Sequence, residues 1–231
     1  MLSAEETSII FLSLKVAGAS VLFSLPAAIA AALLLARTQF PGKTLVDALI
    51  HLPLVLPPVV IGYFLLLGFG RQGPLGGFFE QVFGLVFAFR WTGAALAAGI
   101  MGFPLMVRAI RLALEAIDPR LEAAARTLGA NRLRVLASVT LPLALPGIIM
   151  GCLLAFARSL GEFGATITFV SNIPGETQTL PLAIYNFTQT PGGDAAVLRL
   201  CAISVALSLL ALVLSEWLSR RLRGAHSGGA A

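Results

Sequence analysis

Residues 122–142 read EAAARTLGANRLRVLASVTLP. The stretch is charged and Ala-rich, carries one glycine near its middle, and sits between two apolar runs long enough to cross a bilayer. A plain loop between spanning helices needs only turn residues and basic anchors. This one reads as two compact amphipathic helical pieces hinged at Gly129, and such a segment has something to dock against. The fold predicted from it is an all-α integral membrane protein whose spans present a short helical finger on one side.

The finger's punctuation is local. Asp118 before Pro119 suits an N-cap followed by proline at the first helical position. The helix then runs PRLEAAARTL and meets Gly129, which adopts the left-handed cap conformation cheaply. Asn131 caps a second short helix, NRLRVLASV, expected to end at Leu141 and Pro142, where the next span begins. Ala123, Ala124 and Ala125 leave a shallow surface that another backbone can approach closely, with Leu121 and Leu128 as apolar contacts. Composition alone allows two readings: a docking element for another protein, or an amphipathic helix on the lipid headgroups anchored by Arg126, Arg132 and Arg134.

Composition sets the setting. Of 231 residues 58% are apolar and only 12% charged, more apolar surface than a soluble fold can hide. The net charge of +5 does not point to nucleic acid, because the basic residues collect beside the apolar runs instead of forming a patch. Cys152 and Cys201 lie inside apolar runs and read as small core residues, neither a disulfide nor a metal pair. The start MLSAEETS has Glu5 and Glu6 where a signal peptide carries basic residues, so the first apolar run is expected to be retained as a helix.

A hydrocarbon core of about 30 Å needs about 20 apolar helical residues, and about five segments qualify: 9–36, 45–69, 92–114, 142–168 and 195–218. All belong to one membrane domain covering residues 1–231, with the finger in a 115–141 loop and a Gly/Ala-rich tail at 224–231 expected to be disordered. The second segment holds Pro53, Pro57 and Pro58, and the fourth holds Pro146, Gly147, Gly151, Gly161 and Gly164. Kinking of ordinary membrane helices and cavity-lining flexibility both fit such breakers. With the amino terminus outside, the cytoplasmic side receives Arg37, Lys43, Arg108, Arg111, Arg120, Arg126, Arg132, Arg134, Arg220, Arg221 and Arg223, and the outside only Arg71, Arg90 and Arg199. Eleven against three sets the orientation: the 115–141 loop and the carboxyl tail are expected in the cytoplasm.

Residues 123–142 resemble the cytoplasmic loop of ABC importer permeases, whose pattern is Glu-Ala-Ala, three residues, Gly, nine residues, an aliphatic, one residue, then Leu-Pro. Ala124, Ala125, Gly129, Val139, Leu141 and Pro142 stand at the family spacing; Ala123 occupies the place of the glutamate, and Glu122 comes one residue early. The resemblance implies a type I importer permease fold and a coupling helix that seats in a groove of a separate ATPase subunit, with Glu122, Ala124, Ala125, Arg126, Gly129, Asn131, Leu141 and Pro142 as coupling residues. The chain has no phosphate loop of its own. Gly42-Lys43-Thr44 is a decoy, since Arg37 stands where the first glycine of that motif belongs. ATP-Mg is thus expected on the partner, and no cofactor or metal on this chain.

A second resemblance spans RSLGEFGATITFVSNIPGETQTLPLAIYNFTQTPGG at 158–193. It is similar to permeases for the tetrahedral oxyanions sulfate and molybdate, and the continuation through Arg199, Leu200 and Cys201 to Ser215, Glu216 and Trp217 looks most like the molybdate branch. Physical reasoning meets it at Arg158 and Glu162, which are four residues apart inside an expected span. In a straight helix from Pro142, Arg158 lies about 24 Å along the axis, where charges face a partner or a water-filled path. An ion pair that fixes the span and a charged lining of an anion path both fit. Gly161 and Gly164 allow a close approach or a local break, and with Arg158 and Glu162 they make the candidate path or gate. NIPGETQT reads as a turn outside the membrane, facing a binding protein. His51 reads as a headgroup or packing residue.

The function these resemblances imply is the membrane subunit of an ATP-driven importer of molybdate, and of tungstate with it. It would work by alternating access as a homodimer with two ATPase subunits and an extracytoplasmic binding protein, in a bacterial or archaeal inner membrane. Sulfate or thiosulfate is the alternative cargo. An intramembrane enzyme on Arg158 and Glu162 is a remote one, for the chain has no HExxH or GxSxG motif and no catalytic residue is expected. A passive channel would leave the finger without a purpose.

Overall fold

The computed structural model describes residues 3–227, which form helices and connecting turns with no strand among them. Helix α1 (Ala4–Arg37) starts in a capping box: Ser3 Oγ accepts from the Glu6 N–H, and the Glu6 carboxylate accepts from the Ser3 N–H. The segment expected as one span over 45–69 is instead broken. Helix α2 (Lys43–His51) passes into a 3-10 turn (Leu52–Leu54), and the chain resumes as α3 (Pro58–Phe69) at an angle of 107°. Proline is the cause, because Pro58 has no N–H to give and holds Pro57 extended, at φ −55° and ψ 132°.

A short α4 (Pro74–Phe83) leads to α5 (Trp91–Glu115), the central helix. The most apolar window of α5 is 61% buried inside the chain, against 22% for α1, so α5 is the post on which the other spans pack. Its packing face is built from Ala94, Ala97, Ala98 and Gly102, small residues that let backbones approach where lipid leaves van der Waals contact as the main attraction. Gly147 and Gly151 of the fourth span serve the same end. A Cβ on Gly147 would stand 2.2 Å from that of Ala113, so this residue is there for packing, not for flexibility.

The finger is α6 (Pro119–Thr127) and α7 (Arg132–Val135). Contrary to expectation the second piece does not stop at Leu141. It widens into a π turn (Leu136–Thr140) and runs on as α8 (Leu141–Leu160), because the wide turn accommodates Pro142, which cannot donate to a regular α ladder. The fourth span was expected to reach residue 168, but α8 ends at Leu160 and the chain restarts as α9 (Gly164–Val170). Helices α10 (Leu180–Thr188) and α11 (Asp194–Ser227) complete the chain. The tail expected to be disordered from 224 is helical through Ser227, and residues 228–231 lie outside the described residues, as do the side chains of Arg220, Arg221 and Arg223.

Among the described residues four helices are long and apolar enough to cross a membrane: Ala4–Arg37, Trp91–Glu115, Arg132–Leu160 and Asp194–Leu214. The bent α2–α3 pair makes a fifth crossing when its halves count as one span. Large apolar side chains such as Phe11, Phe23, Leu198 and Val213 point outward along these helices, a surface suited to lipid or a second subunit rather than water. Ion pairs sort the helix ends into two groups. Arg37 meets Glu122 and Arg111 meets Asp47 at one end; Arg199 meets Glu6 and Arg90 meets Glu176 at the other. His51 Nδ1 lies 2.8 Å from the Asp47 carbonyl oxygen and 3.4 Å from the Asp47 carboxylate, one turn back on its own helix. Cys152 and Cys201 are free, half-buried thiols.

Candidate functional site

Two interruptions of the helical ladder hold the candidate residues. The first is the finger. The Asp118 carboxylate accepts from the Arg120 N–H at 2.9 Å and opens α6 as expected. The helix closes in a Schellman arrangement: Ala130 N–H donates to Ala125 O and Gly129 N–H to Arg126 O, with Gly129 at φ +85°. Asn131 Oδ1 then accepts from the Arg134 N–H at 2.8 Å and starts α7. Ala123, Ala124 and Arg126 face outward, while Leu128 is 89% and Leu133 76% exposed. Apolar side chains so bare at the tip of a polar loop mark a surface that something covers.

Glu122 does not join that surface. Its Oε1 accepts from Arg37 at 2.8 Å and from Thr140 Oγ1 at 2.8 Å, so the carboxylate turns back toward the spans. Neither Arg37, 85 positions away, nor Thr140 was singled out as its partner from the sequence, and no local signal could have done so. Leu141 and Pro142 lie just beyond the π turn, at the head of α8.

The second interruption is at residues 161–163. Glu162 is 2% exposed although it lies beyond the end of α8. Its Oε1 accepts from the Ala165 N–H at 2.9 Å, capping α9, and its Oε2 stands 2.8 Å from the Arg158 guanidinium, in contact without the alignment of a hydrogen bond. The pair expected along one continuous helical face thus forms across a break. Arg158 keeps 30% of its side chain open. The interruption in the second span lies alongside: a Cβ on Gly164 would come 2.8 Å from Pro58 Cβ, and one on Gly62 2.5 Å from the Ala165 carbonyl. Gly164 therefore permits contact between two broken spans. Gly161 is exposed, is not crowded, and borders a cavity of about 500 Å³ lined also by Phe163, Tyr185, Thr188 and Ser204.

The NIPGETQT turn is half exposed and half buried within the protein. Ser171, Ile173, Pro174 and Gly175 are exposed, whereas Thr177, Gln178 and Thr179 are buried. Thr177 Oγ1 accepts from the Ile173 N–H and donates to the Ser171 carbonyl, which lets a polar strip enter the interior. Ser13 Oγ on α1 accepts from the Leu180 N–H at 2.7 Å and ties the end of the strip down. Ser171 sits at φ +62° and ψ −168°, a region costing about 1–3 kcal/mol for a residue with a side chain. No sequence motif pointed to that strain.

Residues 24–224 match the family model described as binding-protein-dependent transport system inner membrane component. The chain is 62% identical to the molybdenum transport system permease protein ModB of Escherichia coli (strain K12) over 220 residues, covering 95% of this chain and 96% of that protein. It is 61% identical to the protein of the same name from Haemophilus influenzae over 94% of this chain and 95% of the relative. Identity to the sulfate transport system permease protein CysT of Salmonella typhimurium is 38%, over 83% of this chain and 70% of that one. In three dimensions the chain is similar to a subunit in the crystal structure of a bacterial ABC transporter involved in the import of the acidic polysaccharide alginate, with TM-score 0.73, 19% identity, and coverage of 95% and 80%. At that identity the likeness shows the fold, that of type I ABC importer permeases.

Proposed function

Because this chain belongs to the family of binding-protein-dependent transport system inner membrane components, we propose that it is the membrane-spanning subunit of an ATP-driven molybdate importer. It is a transport subunit and not an enzyme. The observation that carries the cargo is the gap between 62% identity to molybdenum permeases over nearly the whole chain and 38% to a sulfate permease.

In this reading two copies of the chain form the path and two ATPase subunits bind ATP-Mg beneath them. A binding protein delivers the anion at the end that carries Glu6, Arg90 and Glu176. The amino terminus is outside the cytoplasm, and the finger and carboxyl end are inside, in the inner membrane. The exposed face of α6, with Ala124, Arg126 and Leu128, seats on the ATPase, and Gly129 and Asn131 hold its shape. Closure of the ATPases draws the fingers together, and hydrolysis resets them.

Arg158 lends positive potential to the path from the rim of the break. Glu162, fully buried against it, tempers that potential so that a divalent anion is attracted without being trapped. Gly161 and Gly164 give the break its room. Tungstate, of the same shape and charge, passes as well.

The test is ATP hydrolysis and anion accumulation by the complex reconstituted in liposomes, with molybdate, tungstate, sulfate and phosphate compared. Stimulation by molybdate and tungstate at low concentration is expected. Stimulation by sulfate alone would overturn the cargo and keep the class.

A further inference from the structure

We propose that Glu122 is a positioning residue that latches the finger to the membrane body of its own subunit, and that the π turn Leu136–Thr140 is the hinge through which movement of α6 reaches α8. The inference rests on the importer reading and deepens it by tracing the mechanical path within one protomer.

A single oxygen, Glu122 Oε1, is bonded at 2.8 Å to Arg37 and at 2.8 Å to Thr140. Arg37 is the last residue of α1, and Thr140 is the last residue of the π turn. One carboxylate therefore joins the coupling helix, the end of the first span and the start of the fourth. The glutamate side chain is 16% exposed and Thr140 only 3%, so the bond to Thr140 is sheltered from bulk water and, being charge-assisted, is strong. The bond to Arg37 stays open to solvent and contributes less. Glu122 and Ala125, one helical turn apart, make the inner face of α6, while Ala123, Ala124 and Leu128 make the outer one. A carboxylate meant for a partner subunit would share the face of Leu128; this one faces away.

The hinge lies at the other end of the same bond. A π turn holds one residue more than the α ladder accommodates, and such turns are where a helix bends or shifts register. Here it lies between the finger and a span whose far end carries Arg158. Pulling α6 through the Glu122–Thr140 bond acts on that turn directly, and through Arg37 it moves α1 in step.

The experiment compares Glu122→Gln, Arg37→Gln, Thr140→Val and Thr140→Ser with the unsubstituted importer in liposomes. It reads molybdate accumulated per ATP hydrolysed, together with copurification of the ATPase. Glu122→Gln and Thr140→Val are each expected to lower the ratio about ten-fold, the worth of one hydrogen bond to a charged group, and Arg37→Gln to lower it by a smaller factor because that pair is open to solvent, with the ATPase retained. Thr140→Ser keeps the hydroxyl and should keep the ratio, and the exchange Arg37→Glu with Glu122→Arg should restore most of it. Loss of the ATPase in Glu122→Gln, with normal transport in Arg37→Gln and Thr140→Val, would place the carboxylate on the partner and overturn the proposal. Amide exchange of residues 118–140 in the isolated permease reads the latch whatever is carried. Faster exchange in all three variants supports it, and unchanged exchange sinks it even if the unsubstituted complex ignores molybdate and the importer reading fails.

Discussion

The finger at 118–140 and the break at 161–163 both interrupt a helical ladder, by opposite means. In the finger the caps find their partners close in sequence: Asp118 serves Arg120, Ala125 and Arg126 receive Ala130 and Gly129, and Asn131 serves Arg134. At the break the cap on α9 is also local, but what keeps the gap open is remote, since Pro58 of another span fills the space beside Gly164. A segment in water can be shaped by its own side chains. A gap at membrane depth needs a neighbouring helix as its wall.

The largest effect that would test this contrast is at Arg158. Arg158→Ala is expected to cut uptake to about a hundredth or less while the ATPase still copurifies, because it removes the positive charge beside the path. The Glu162 carboxylate left without its partner lowers thermal stability as well, by up to about 3–5 kcal/mol. Loss of assembly instead would make the pair a structural brace. The double change Arg158→Met with Glu162→Met removes both charges, and should recover thermal stability without recovering uptake.

Gly129→Pro strikes the finger. Proline cannot take φ +85° and has no N–H for the Arg126 carbonyl, so hydrolysis should continue with uptake reduced about ten-fold or more. Uptake at the unsubstituted level would show that the turn is dispensable. Gly164→Val should push α9 off Pro58 and destabilise the protein by about 1–3 kcal/mol, read as a lower unfolding temperature in lipid nanodiscs. An unchanged temperature would mean that the two broken spans do not need each other. Smallest is Asn131→Ala, which removes one cap worth about 1 kcal/mol and should shift amide exchange only in α7 and the π turn. A wider change would show that the finger is less local than its caps suggest.

The legibility of the chain divides along the same line. The finger's start at Asp118, its turn at Gly129 and its restart at Asn131 all follow from residue types with one strong local preference each, and they stand where expected. Its end does not. The run RLRVLASVTLP contains a proline that ordinarily stops a helix, and only the π turn lets the ladder continue into α8. The broken second span was signalled by Pro57 and Pro58, but not its 107° angle, which depends on what α3 packs against. Arg158 and Glu162 were paired correctly by spacing, for a reason that the break at Gly161 replaces.

The long apolar helices, the finger and its caps were determined by the sequence alone, because hydropathy and capping act over a few residues. Tertiary structure alone decided that Glu122 faces Arg37 and Thr140, that two helix breaks lie side by side, and that half of the NIPGETQT turn is buried. Each of those joins residues far apart in the chain, and what they gain from one another appears only once the helices have packed.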